Sequence, residues 1–205
     1  MKKVDPIKDK QKIFAIKNYI RSGDYIQDSK YKRFYQERDS MLFSWSINCA
    51  LRISDLLSLK IKDVMNSQGD ISKYLYIEPR KTKKKTYNEL KIFINDPMEK
   101  SLAKYIKQEK CLDPDDYLFR TVTGGKLDRI RVHGLIKKWA RAVGIKEARI
   151  SAHSMRKTWG WMAYKQGIDI QIISQKLGHK SERVTRRYIG IDQEAVNDVE
   201  KQICL

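Results

Sequence analysis

Apolar residues recur at Ile13, Ile16, Tyr19 and Ile20, the spacing of one helix face, and Ser22-Gly23-Asp24 interrupts the pattern. From Asp39 the run "DSMLFSWSINCALR" reads as an apolar helix ending near Arg52, after which Ser54 is placed to cap the short helix "SDLLSLKIKDV". The alternating stretches "YLYIEP" and "LKIFI" read as two strands joined by the lysine-rich turn "RKTKKKTYN". Asp96-Pro97 then opens a helix, "VTGGK" is a turn, and "RIRVHGLIKKWARAV" is helical up to Gly144. A long helix is expected from about Ala152 to Gln166, stopped by Gly167. Asp169 caps "IQIISQKL", Gly178 ends it, and Ser181 starts the next helix, which carries Tyr188. In the tail, Ala195, Val196, Val199 and Ile203 share one helical stripe. The pattern predicts a mainly α fold with a small antiparallel β-sheet. It divides the chain into a basic arm with a short helix (1–38), a central domain (39–190) and a tail helix (191–205).

Composition narrows the class. A chain of 205 residues, 41% apolar and 33% charged, can bury a core of its own and is not of disordered type. No apolar run approaches the roughly 18 residues of a membrane span. The start, "MKKVDPIKDKQ", has no apolar signal core behind its lysines, so a cytoplasmic location is expected. Cys49, Cys111 and Cys204 lie far apart and in no metal-ligand spacing, which argues against a disulfide framework or zinc site.

Charge changes the picture most. Forty-three Lys+Arg against 25 Asp+Glu give a net +18, an excess that a polyanion relieves. Nucleic acid is the first candidate, an anionic membrane surface the second, and a merely basic soluble protein the plain alternative.

The candidate chemistry is scattered along the chain. His153 and Arg156 in "HSMRKT" are three residues apart and share a helix face, a pairing of titratable imidazole and fixed cation that suits an anionic reacting group. "LGHKSERVTRRY" adds His179 after a helix-ending glycine and Tyr188 two turns into the next helix. Arg52 in "LRISDLL" lies at a junction between helices, and His133 lies mid-helix with no assigned role. Each motif alone is as well explained by capping, packing or a solvated surface. Taken in order, Arg52, a lysine in the strand-connecting turn, His153 with Arg156, His179 and Tyr188 resemble the catalytic domain of the tyrosine recombinases, or phage integrase family, over roughly residues 39–190. Thr185, three residues before Tyr188, also fits that pattern.

That resemblance implies a DNA strand transferase in which Tyr188 attacks a phosphodiester, forms a 3′-phosphotyrosyl link and frees a 5′-hydroxyl. A free tyrosine has a pKa near 10, so attack needs a base or strong positive potential. His153 is the implied base, Arg52 and Arg156 the anchors of the non-bridging oxygens, and His179 a further donor to them. The family's general acid is a hairpin-turn lysine, for which Lys81 matches best and Lys83 stands next. Lys83, Lys84 and Lys85, with Arg183, Arg186 and Arg187, are expected DNA contacts. No metal, cofactor or ATP is implied. The partners implied are double-stranded DNA, further subunits in a tetramer on DNA, and possible accessory DNA-bending proteins, with no membrane.

Two features depart from the family's pattern. Arg156-Lys157-Thr158 stands where Arg-His-Thr is usual, and only about 38 residues precede the resembling region, where most members carry a helical DNA-clamping domain. A DNA-binding regulator without useful cleavage, and a type IB topoisomerase-like enzyme, are therefore the competing readings. The tail stripe has two readings as well: docking onto a neighbour, or packing on its own domain.

Overall fold

The structure, a computed structural model, describes residues 4–27, 29–78, 89–109, 112–146 and 149–203. The described chain is mainly helical with one two-stranded antiparallel sheet, as the pattern predicts. Helix α1 (Lys10–Ser22) starts on Asp9, whose carboxylate accepts from the Gln11 N–H, and ends on Gly23 at φ 69°. Helix α2 (Lys32–Asn48) begins ahead of the expected Asp39 and stops short of Arg52. It begins early because its charged turn is buried. Arg38 donates to the Asp39 carboxylate at 2.8 Å through Nε, and the Tyr25 hydroxyl donates to the same carboxylate at 2.9 Å. It stops early because Ala50 is left-handed at φ 57°, a conformation no helix passes through.

Arg52, not Ser54, then takes the N-cap position of the single-turn α3 (Ile53–Leu56). Strands β1 (Tyr74–Ile77) and β2 (Leu90–Phe93) pair antiparallel, Tyr74 opposite Phe93 and Ile77 opposite Leu90. Helix α4 (Asp96–Gln108) is capped by Asn95, one residue before the expected Asp96, through its acceptance of the Met98 N–H at 3.3 Å. Helices α5 (Arg129–Ala142), α6 (Ala152–Lys165), α7 (Ile170–Leu177) and α8 (Glu182–Ile189) follow the predicted caps closely, and α9 (Ile191–Gln202) forms the tail.

The large core is built around α2, which packs against α1, α4 and α6. Met41, Leu42, Phe43 and Trp45 are all buried, so this helix is apolar around most of its circumference rather than along one stripe. The Trp45 indole N–H donates to the Met98 carbonyl at 3.1 Å, which joins α2 to α4 without leaving a polar group unpaired. Residues expected in a basic arm contribute Ile7, Ile16, Ile20, Tyr25 and Phe34 to this core.

A second, smaller cluster holds Ala50, Trp161, Ile173, Leu177, Ile189 and Ile191 together beneath α6, α7 and α8. Gly160 sets how closely these helices approach. A Cβ there would lie 2.8 Å from the Ile189 Cγ2 and 3.2 Å from a Leu177 methyl. That glycine lets α8 sit directly on α6.

Candidate active site

Helix α6 starts on Ser151, whose hydroxyl accepts from the His153 N–H at 3.2 Å while its own N–H donates to the Ser154 hydroxyl at 3.1 Å. His153 therefore sits exposed in the first turn, and Arg156 lies one turn further along, buried. The Arg156 guanidinium donates through Nη1 to the Ala50 carbonyl at 2.8 Å and through Nη2 to the Leu177 carbonyl. Both acceptors are made by backbone termination. Ala50 turns left-handed just past α2, and Leu177 ends α7, where carbonyls lack helical partners. A rigid planar cation is thus fixed by two chain segments far apart in sequence.

Gly178 closes α7 at φ 56°, with the His179 N–H returning to the Ser174 carbonyl at 3.0 Å, and this turn directs His179 back over the site. The His179 Nδ1 lies 2.9 Å from the Thr185 hydroxyl, which in turn pairs with the Ser174 hydroxyl. The imidazole also meets the Tyr188 ring edge-on, centroids 4.8 Å apart at 75°. On the Tyr188 ring face stands the Lys157 ammonium, 4.9 Å from the centroid.

The electrostatics follow from this crowding. Burial pushes the Tyr188 phenol above its ordinary value, while the charge of Arg156, its hydrogen bond to the phenol, and the charge of Arg52 pull it down. Burial, then Arg156 and Arg52, hold His179 down at about 4, so it is a neutral imidazole at neutral pH. Arg52, Arg156, His179 and Tyr188 therefore act on one another, although they come from the α2–α3 link, α6, the α7–α8 turn and α8.

The other predicted positions fall into separate groups. Lys81, Lys83, Lys84 and Lys85 lie outside the described residues. Arg183 and Arg187 are exposed on α8, whereas Arg186 pairs with Asp192 at 3.0 Å across the α8–α9 junction. The tail stripe is uncovered, with Val196, Val199 and Ile203 about half exposed or more (49%, 53% and 61%). Sequence reasoning missed the Ala50 carbonyl, the Ser174 hydroxyl and the placement of Lys157. Only Lys157, beside Arg156 in the motif, carried any signal. Among the described residues no cluster of His, Cys, Asp or Glu could hold a metal ion, and no helix is long and apolar enough to cross a membrane.

Comparisons with known proteins bear on the family and the fold. The profile of the phage integrase family matches residues 25–195. A "Probable integrase/recombinase YoeC" of Bacillus subtilis is 35% identical over 192 residues, covering 93% of this chain and 92% of that protein. A "Tyrosine recombinase" of Pseudothermotoga lettingae is 26% identical, covering 95% of this chain and 67% of the relative. Among solved structures, XerA recombinase superposes with a TM-score of 0.69 at 21% identity, over 97% of this chain and 63% of that one. XerH site-specific recombinase in a post-cleavage complex with its palindromic difH substrate gives 0.70 at 20% identity, over 97% and 53%. The chain thus spans nearly all of one relative but less than two thirds of one solved structure and about half of the other, which at these identities attest the fold. With the family profile over most of its length and a 35% identical relative aligned almost end to end, this chain belongs to the phage integrase family, the tyrosine recombinases.

Proposed function

We propose that this protein breaks and rejoins DNA strands at specific sites, with Tyr188 as the nucleophile. The observation that carries the reading is the convergence of Arg52, Arg156 and His179 on the Tyr188 phenol from separate segments of the chain. In the reaction the Tyr188 oxygen bonds to phosphorus and the bond from phosphorus to the 5′-oxygen breaks. His153, exposed one turn from Arg156, takes the phenol proton. Lys81 supplies a proton to the departing 5′-oxygen. Arg52 and Arg156 bind the non-bridging oxygens, where negative charge grows, and stay protonated throughout.

His179 adds a neutral donor. In this reading Nδ1 accepts from the Thr185 hydroxyl, 2.9 Å away, so that the imidazole proton on Nε2 can be given to the phosphate. The phosphotyrosyl link keeps the bond energy, and a 5′-hydroxyl reverses the step without ATP. Lys83, Lys84, Lys85, Arg183 and Arg187 contact the DNA backbone, and the basic charge of the chain supports this. Subunits assemble on DNA through the uncovered α9 stripe, because an apolar face of that kind is otherwise unaccounted for on its own domain.

A nicked suicide duplex carrying the recombination site tests the reading. Wild type should leave an SDS-resistant protein–DNA adduct, and Tyr188→Phe none. An undiminished adduct with Tyr188→Phe, or none with wild type on genuine sites, overturns it. Native gels of the same reactions test assembly: a chain ending at Gly190 should bind DNA without forming the higher complex.

A further inference from the structure

The residue of the "HSMRKT" motif left without a role is Lys157. It follows Arg156 on α6, and successive helical positions point about 100° apart, so it does not share the arginine's face. It is nevertheless buried, at 8% exposure, with its ammonium 4.9 Å from the centre of the Tyr188 ring. A buried ammonium is costly unless it has partners. Lys157 has the ring face, and it donates to the Val4 carbonyl at 2.8 Å.

Val4 belongs to a strap, residues 4–9, that is attached to the same part of the fold at several points. The Asp5 N–H donates to the Arg149 carbonyl at 2.8 Å, and the two side chains form an ion pair. The Ile7 N–H donates to the Thr158 hydroxyl at 2.8 Å, and the Ile7 side chain is buried in the large core. The Lys8 ammonium stands 5.5 Å above the Trp161 ring. Lys157, Thr158 and Trp161 are all on α6, so the strap lies along the helix that carries Arg156.

We propose that Lys157 is a positioning residue for the nucleophile, holding the Tyr188 ring from its face while bound to the N-terminal strap, so that the strap is a working part of the active site. This rests on the reading of Tyr188 as the nucleophile. With His179 in T-shaped contact with the ring and Lys157 over its face, the phenol oxygen is confined near Arg156 before DNA arrives. The same cation favours negative charge as it grows on the phenol during attack.

The test compares Lys157→Met, which keeps the length of the stem and removes the charge, with Lys157→Arg, which keeps the charge. Single-turnover adduct formation on the suicide duplex should slow by about fivefold to thirtyfold in Lys157→Met, equivalent to about 1–2 kcal/mol. Its pH–rate rise should move to higher pH, because the cation that helps the phenol ionise is gone. DNA affinity should be unchanged, and Lys157→Arg should recover most of the rate. Thr158→Val, which removes the strap's acceptor on α6, should slow the reaction in the wild-type background and add little in Lys157→Met, since both act through one coupling.

A Lys157→Met protein with wild-type rate and pH profile overturns the proposal, as does a Lys157→Arg protein as slow as Lys157→Met. Independent, additive effects of Thr158→Val and Lys157→Met overturn the role of the strap. If wild type itself forms no adduct, the nucleophile reading fails instead. The Lys157 contact is then judged by the 13C ring resonance of Tyr188, assigned by its loss in Tyr188→Phe. A resonance that does not move in Lys157→Met overturns the contact.

Discussion

The molecule has two apolar cores that differ in how they are built and in what they hold. The large one surrounds α2, draws on α1, α4 and α5, and is rich in interlocking aromatic rings such as Phe43 edge-on to Trp139 at 6.0 Å. The small one is a handful of side chains under α7 and α8, helices of 8 residues each. Helices that short are marginal by themselves and depend on packing for their existence. His179 and Tyr188 are both carried by this smaller unit, and Arg156 bonds to the carbonyls of two of its members, Ala50 and Leu177. The difference teaches that overall stability and site geometry are set in separate places. Damage to the large core should unfold the protein, and damage to the small one should misplace the nucleophile before anything melts.

The largest expected effect tests the first half of that comparison. Trp45→Ala removes a fully buried indole and its bond to the Met98 carbonyl. It should cost about 3–5 kcal/mol, as buried Trp truncations do. Calorimetry should show a melting temperature lower by ~6–20 °C for a domain of this size. Adduct formation well below the new melting point should stay close to wild type. A cleavage defect there as deep as the loss of stability would break the comparison.

Gly160→Ala sharpens the second half. The added methyl must displace Ile189, which is fully buried and branched at Cβ, so the neighbour cannot swing aside. Overpacking of this kind costs about 1–3 kcal/mol, partly offset by the better helix propensity of alanine. The small core should bear most of it. Hydrogen exchange should quicken in α7 and α8 while α2 amides keep their protection, and the adduct yield should fall by more than the melting point suggests. Equal loss of protection in α2 would show that the two cores open as one.

The smallest effect is a pH dependence. His179 titrates at about 4 in the folded chain against 6.5 when unperturbed. Above about 6.5 both folded and unfolded forms are neutral and this group contributes nothing. As pH falls from there towards about 4, the unfolded chain gains a proton the folded chain refuses, so stability declines across that window. Melting curves of wild type and His179→Gln should therefore diverge between these pH values, with wild type losing more. The loss should be modest, since His179 is only half buried. Parallel curves would mean that the imidazole is not held neutral by its surroundings.

Much of this was legible in the residues. The caps Asp169 and Ser181 and the stops Gly144, Gly167 and Gly178 are local signals, and each lies where the pattern places it. The start of α2 was not legible, because Arg38 and Asp39 look like surface charges until Tyr25 closes over them. Nor was its end, since nothing in "NCALR" announces a left-handed alanine. The strap was hidden for a similar reason. Lysines at 8, 10 and 12 read as a solvated arm, while the single buried Ile7 that anchors it is unremarkable in sequence.

The sequence by itself determined the inventory and its order: two arginines, two histidines and a tyrosine, all but Arg52 on or between elements whose limits are written in local capping chemistry. Only the tertiary structure decided how they act together. Whether Arg156 is a surface charge or a fixed clamp depends on carbonyls at Ala50 and Leu177, 106 and 21 residues away. Whether Tyr188 is another helical aromatic or a confined phenol depends on Lys157, His179 and the closeness that Gly160 permits. Such relations are long-range and arise from packing. Local residue patterns encode turns and caps, and they are silent about which distant backbone group will be waiting when the helices close.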